Sequence, residues 1–247
     1  MQAFRGFLDE PPGFYDETPR ICTPNQLSVT LHEHPNNTEK DMNTTLTEFI
    51  RTEILPQYAA FDKAHREDHA RMVIEQSLEL ARHNDVDEDM VLAIAAYHDL
   101  GLSVDRKTHH LESGRIVRSD TRLTQWFTPE QIETMAQAVE DHRASSDHAP
   151  RSIYGKIVAE ADRFIDPEKI IERTVQFGLD HYPELDKEDH WQRTLEHLHK
   201  KYAEGGYLRL WFPQSPNVAR LGRLRRIIRD EALLRTIFER YFPSDKT

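Results

Sequence analysis

Apolar positions recur with a helical period along most of this chain, and no segment alternates for long enough to suggest a strand. Leu46, Phe49, Ile50 and Ile54 form one stripe, ended by Pro56; His69, Met72, Val73 and Leu80 form another, in a segment that runs to about Arg82. After Asp87 one face carries Val91, Ile94, Ala95 and His98, and Gly101 follows as the expected C-terminal stop. Thr128-Pro129-Glu130-Gln131 combines a capping box with proline at the first helical position, and opens a helix with Ile132, Met135, Ala136, Val139 and His142 on one side. From Ser152 the stripe is Tyr154, Ile157, Val158, Ala161, Asp162 and Ile165. Trp191, Leu195 and Leu198 mark a further helix before the break at Gly205-Gly206, and the apolar run Tyr207 to Phe212 reads as core packing. Two last stripes run through Leu221, Leu224 and Ile228, and through Leu233, Leu234, Ile237, Phe238 and Tyr241. The expected fold class is all-α, a helical bundle with additional C-terminal helices.

Residues 1–43 differ from the rest: Pro11-Pro12, Pro19, Pro24 and Pro35 punctuate them and no period is sustained. They read as a flexible N-terminal extension, with the helical domain expected over residues 44–243.

Composition narrows the function classes. The formal net charge of -11 leaves no expectation of stable nucleic-acid binding, and an acidic chain that handles phosphates needs local cations or a metal. The single cysteine, Cys22, excludes an intrachain disulfide and a thiolate metal cluster, and suits a reducing cytoplasm. No apolar stretch approaches the length of a membrane span and the N-terminus lacks a signal-peptide pattern, so a cytoplasmic protein without membrane association is expected.

Histidine carries the chemistry. His69, His98, His142 and Asp162 each sit at or beside the apolar stripe of a different helix, where an unpartnered polar group costs several kcal/mol, roughly. Any one of them alone reads as a core residue bonded to a carbonyl. Four such residues on separate helices point instead to a shared partner, and imidazole with carboxylate suits Mn, Fe, Ni, Co or Zn, with Mg possible.

This pattern resembles the HD superfamily of metal-dependent phosphohydrolases, whose signature is a histidine on one helix, a His-Asp pair on the next and a distant aspartate. The matching residues are His69 in HREDHARMV, His98 and Asp99 in AAYHDLG, and Asp162 in IVAEADRF. The resemblance spans about residues 64–165, leaving 166–243 as an appended C-terminal helical region. Members with two metals add two histidines between the pair and the last aspartate; here His110 in HLESG and His142 in EDHRAS are similar in order and context. His110 competes with His109, and Gly114 one turn later favours His110 by allowing close helix approach. The wider chain is similar to a bacterial subgroup of HD hydrolases, and it lacks the GYP motif of the cyclic dinucleotide group.

The resemblance implies one or two divalent ions on His69, His98, Asp99, Asp162, His110 and His142, with Asp99 as the catalytic bridge between them. His65, one turn before His69, is a candidate substrate contact or proton donor. Lys107, Arg143, Arg151, Lys156 and Arg163 are candidate phosphate donors, each also readable as a solvated surface cation. The expected function is hydrolysis of a phosphate ester or anhydride in a nucleotide or other small phosphorylated metabolite. Two alternatives stand beside it: a di-iron oxygenase of the same fold, and a non-catalytic metal-binding regulator.

Overall fold

The structure is a computed structural model and describes residues 42–61 and 67–243. The expected N-terminal extension, apart from Met42 and Asn43, and His65 lie outside the described residues. Among the described residues there are ten α-helices and no strand, so the all-α expectation holds.

The first apolar stripe does not form one regular helix. The α-helix α1 (Thr44–Phe49) runs into a π-helical turn at Ile50–Ile54 and then a 3₁₀ segment at Leu55–Ala60, where Pro56 sits in the first turn. Leu46, Ile50, Ile54, Leu55 and Tyr58 are nonetheless all buried, so the irregular winding keeps the apolar side inward. Helix α2 (Glu67–Ala81) follows, and then α3 (Glu88–Tyr97), capped by the Asp87 carboxylate on the Asp89 N–H. Every residue of α3 from Met90 to Tyr97 is buried, as expected of a central helix that is apolar all round.

Helix α4 (His109–Ser119) packs on α5 (Pro129–Glu140), which opens with the expected capping box between Thr128 and Gln131. Helix α6 (Ile153–Ala161) packs on α2 and α5 and ends at Asp162. These six helices enclose a first core through residues such as Ala93, Ala96, Met135, Val139 and Val158.

The C-terminal region consists of α7 (Pro167–His181), α8 (Lys187–Tyr202), α9 (Pro216–Arg229) and α10 (Glu231–Tyr241). Ile171, Val175, Leu198, Leu224, Leu234 and Phe238 form its own core. A third cluster joins the two, with Phe212 against Leu80, Val91 and Ile157. Polar contacts fasten the same junction: the buried Glu160 carboxylate accepts the Trp211 N–H at 2.7 Å, and the Asn217 side-chain amide donates to the Glu160 carbonyl at 3.1 Å. Of the run Tyr207 to Phe212, expected to pack in the core, Leu208 and Phe212 are buried, whereas Tyr207 is exposed.

Gly101 does not act as a left-handed helix stop. Helix α3 ends at Tyr97 and Gly101 lies in a 3₁₀ turn, Leu100–Ser103; among the described residues only Gly205 is a glycine with positive φ. What Gly101 provides is proximity. A Cβ there would stand 2.1 Å from the His109 carbonyl oxygen, so its absence lets the first turn of α4 settle against the chain leaving α3.

Candidate metal centre

The centre forms where α3 gives way to the 3₁₀ turn. His98 caps α3, and Asp99 (φ -110°, ψ 5°) turns the chain so that the two side chains share one side of the helix end. His69 comes from the first turn of α2 and Asp162 from the end of α6. The His69 Nε2 lies 3.2 Å from Asp162 Oδ1 and 3.7 Å from Asp99 Oδ2. The His98 Nε2 lies 3.3 Å from Asp99 Oδ2, 3.8 Å from Asp162 Oδ1 and 3.4 Å from His69 Nε2.

The other oxygen of the Asp99 carboxylate faces a different pair. Asp99 Oδ1 stands 3.4 Å from His109 Nε2 and 3.5 Å from His142 Nε2, and these two nitrogens are 3.3 Å apart. One nearly buried carboxylate therefore sits between two histidine groups, with one oxygen turned to each.

Backbone carbonyls fix how three of the imidazoles point. His98 Nδ1 donates to the Ala95 carbonyl at 2.8 Å, His109 Nδ1 to that of Arg106 at 2.9 Å, and His142 Nδ1 to that of Val139 at 2.6 Å. A carbonyl only accepts, so each Nδ1 carries the proton and, in the neutral ring, each Nε2 presents a lone pair to the centre. Such lone pairs facing one another and two carboxylates repel unless a cation lies among them.

The protonation preferences agree. Burial on its own would lower the His69 and His98 imidazoles, but Asp162 for His69 and Asp99 for His98 outweigh it, and both pKa values are raised. Burial disfavours the charged forms of Asp99 and Asp162, yet the surrounding histidines hold both carboxylates below their ordinary range, Asp99 chiefly through His98 and His142, Asp162 chiefly through a bond to His69. His109 is lowered, first by burial and then by His142.

The donor set fits a metal. Donors at about 2.1 Å from one ion stand about 3.0 Å apart at right angles and about 3.4 Å apart in a tetrahedron, close to the spacings seen here. Two triads have all donor atoms within 4.8 Å of one another: His69, His98 and Asp99, and Asp99, His109 and His142. Residues 66–165 match the family model of the HD domain. Residues 66–165 are an HD domain. All six side chains of the two histidine groups and their carboxylates, from His69 to Asp162, lie within the match. HD domains are mostly metal-dependent phosphohydrolases, and the His/Asp cluster is where this one could hold metal. No curated protein and no solved structure matches the chain at a significant level.

Against the sequence expectations, the HD centre brings together His69, His98, Asp99, Asp162 and His142, and differs at one histidine. His109, not His110, faces Asp99 and His142. His110 lies on the side of α4 that carries Ser113, Gly114 and Val117 toward α5; its Nδ1 is buried without a partner, and burial, then His142 and His109, push its pKa down to about 4. Gly114 does allow close approach, but to Glu140 of α5, which says nothing about which histidine reaches the centre.

The expected cations also separate. A cavity of about 750 Å³ opens on the centre and is lined by His69, Asp99, His109, His142 and Asp162, with Arg143 and Arg163 beside them. Arg163 donates to the Ala159 carbonyl at 2.6 Å, while its buried Nε has no partner. Arg143 donates to the Lys107 carbonyl at 2.9 Å. Arg151 is spent elsewhere: it grips Asp141 at 2.9 Å and Glu140 at 2.7 Å, pinning the loop before α6 to the end of α5. Lys107 is exposed, and neither it nor Lys156 on α6 lines the cavity. Sequence reasoning missed Lys169, Arg173, Arg193 and Lys201, which do. Their signal was spacing: Lys169 and Arg173 are four apart on α7, and Arg193, His197 and Lys201 are four apart on α8.

Among the described residues no helix is long and apolar enough to cross a membrane.

Proposed function

We propose that the chain is a metal-dependent phosphohydrolase that cleaves a phosphate ester or anhydride of a small phosphorylated metabolite. The single observation that carries this reading is the Asp99 carboxylate, one oxygen turned to His69 and His98 and the other to His109 and His142. In this reading His69, His98, Asp99 and Asp162 hold one divalent ion, and Asp99, His109 and His142 hold a second. Divalent ions supply two things to such a reaction, acidification of water and neutralisation of phosphoryl charge.

The chain's own residues do the rest. The carbonyls of Ala95, Arg106 and Val139 keep the Nε2 atoms of His98, His109 and His142 available as donors by holding the proton on Nδ1. Arg163, with a buried Nε that bonds nothing else, and Arg143 orient the phosphoryl oxygens at the cavity wall. His65 keeps its candidate role as substrate contact or proton donor in this proposal. The unpaired cations beside the centre favour phosphate over the oxidation chemistry that the same donor set serves in a di-iron oxygenase.

The test is metal content by elemental analysis together with phosphate release from a nucleotide panel under Mn, Co, Ni and Mg, for wild type and Asp99→Ala. Metal-dependent release that disappears in the variant, with loss of bound metal, supports the proposal. Bound iron without phosphate release moves the assignment to the oxygenase, and bound metal with neither activity to a regulator.

A further inference from the structure

The cavity extends beyond the HD match, and its far wall comes from α7 and α8. Each helix presents one register to it: Lys169, Arg173 and Phe177 at steps of four on α7, and Arg193, His197 and Lys201 at steps of four on α8. With Arg143 and Arg163, six Lys and Arg side chains line a space whose carboxylates are only Asp68, Asp99 and Asp162. The local balance is thus the reverse of a chain with net charge -11.

These cations are also unspent. Several arginines elsewhere are paired: Arg118 holds Glu133 and Glu140, Arg151 holds Glu140 and Asp141, and Arg235 holds Glu188 and Glu239. Among the described residues, Lys169, Arg173, Arg193 and Lys201 have no carboxylate within ion-pair distance. Arg193 is moreover held in place, its guanidinium 5.5 Å from the Phe177 ring centroid and 5.6 Å from that of Tyr182, and bonded to the Thr174 carbonyl. Its Nε is buried with no partner. A guanidinium fixed in place and partly desolvated at the cavity wall suits an anion.

We propose that α7 and α8 form a second anion subsite, so that the substrate of this HD domain carries at least two phosphoryl groups, one at the His/Asp centre and one against Arg173 and Arg193. The assignment of the first group rests on the phosphohydrolase reading; the second subsite does not. The volume, about 750 Å³, suits a metabolite of nucleotide size, and Met72, Ile170 and Leu208 give its organic part apolar lining.

The test is calorimetric binding of inorganic tripolyphosphate and of orthophosphate to the full chain, in chelator-treated buffer so that metal capture by the probe does not register. Wild type should bind tripolyphosphate at least about tenfold more tightly than orthophosphate, as several charge-assisted bonds replace one or two. Arg173→Glu and Lys169→Glu, each at an exposed position, should weaken tripolyphosphate by about tenfold, while Lys200→Glu, exposed on α8 outside the cavity, should not. Arg193→Lys, which keeps the charge and loses the fixed fork, should weaken it by a smaller factor of about three. Equal affinity for the two probes in wild type, or equal losses in Arg173→Glu and Lys200→Glu, overturns the subsite. Selective tripolyphosphate binding in a protein that releases no phosphate from any substrate leaves the subsite standing and removes the hydrolase reading alone.

Discussion

Replacing Gly101 by alanine should damage the centre from a distance. The added Cβ would lie 2.1 Å from the His109 carbonyl oxygen, 2.6 Å from the Ser113 nitrogen and 2.8 Å from Glu112 Cβ. An ordinary carbon–oxygen contact is about 3.2 Å, so the first turn of α4 must retreat by about 1 Å. It has little room, because Gly114 on the same helix is already closed on Glu140 of α5, where a Cβ would meet the side chain at 2.7 Å. The retreat also breaks the buried bond from the Gly101 N–H to Ser113 Oγ, 2.8 Å long. Overpacking of this kind costs about 3 kcal/mol, and the stranded N–H adds about 1 kcal/mol or more. Urea unfolding followed by circular dichroism should therefore show Gly101→Ala less stable by about 3–4 kcal/mol. Gly222→Ala is the matched control: it lies inside α9, a Cβ there would have its nearest neighbour at 4.0 Å, and the change should instead stabilise. Its expected gain is about 0.5–1 kcal/mol, the helix-propensity difference between the two residues. A Gly101→Ala protein within about 1 kcal/mol of wild type would refute the claim that close approach is what this glycine provides.

Two further outcomes follow from the centre itself. His109→Ala should lose about one equivalent of bound metal while His110→Ala keeps the wild-type content, read by elemental analysis; the reverse would restore the histidine that sequence spacing favours. In metal-free protein the raised pKa values of His69 and His98, set by burial outweighed by Asp162 and Asp99, mean that their contribution to stability is complete below 6.5 and is lost as pH rises through the raised values. Asp99 and Asp162, held below 3.8, contribute above that value and lose it as pH falls. Chelator-treated protein should thus unfold at lower urea at about pH 8 than at about pH 6, and Mn²⁺ should reverse the loss; a profile flat between the two contradicts the assignment.

The histidines and carboxylates that mark separate helices were legible because burial of an ionisable group on an apolar stripe is itself improbable: His69, His98, His142 and Asp162 announce themselves by period alone. Asp99 needed its neighbour, since adjacent helical residues point about 100° apart and only the termination of α3 brings the pair to one side. The choice between His109 and His110 was not legible. Gly114 one turn later favoured His110, and His110 is half-buried on that side of α4, but the centre lies off the end of the helix, where His109, its first residue, reaches it. The cations failed differently. Nearness in sequence to His142 and Asp162 selected Arg143 and Arg163, which line the cavity, together with Arg151 and Lys156, which do not, and it gave no access to the wall from α7 and α8, whose contribution depends on how two cores pack together.

Glu160 gives that packing a meaning for how the molecule can be divided. It sits two residues before Asp162 and bonds both the Trp211 N–H and the Asn217 amide, so the last turn of α6 serves a putting-together of both halves. The region recognised as an HD domain ends at residue 165, yet a chain cut there would expose the Glu160 carboxylate and the Ile157 side of the helix that carries Asp162. The end of the HD match and the end of the packed unit do not coincide in this protein.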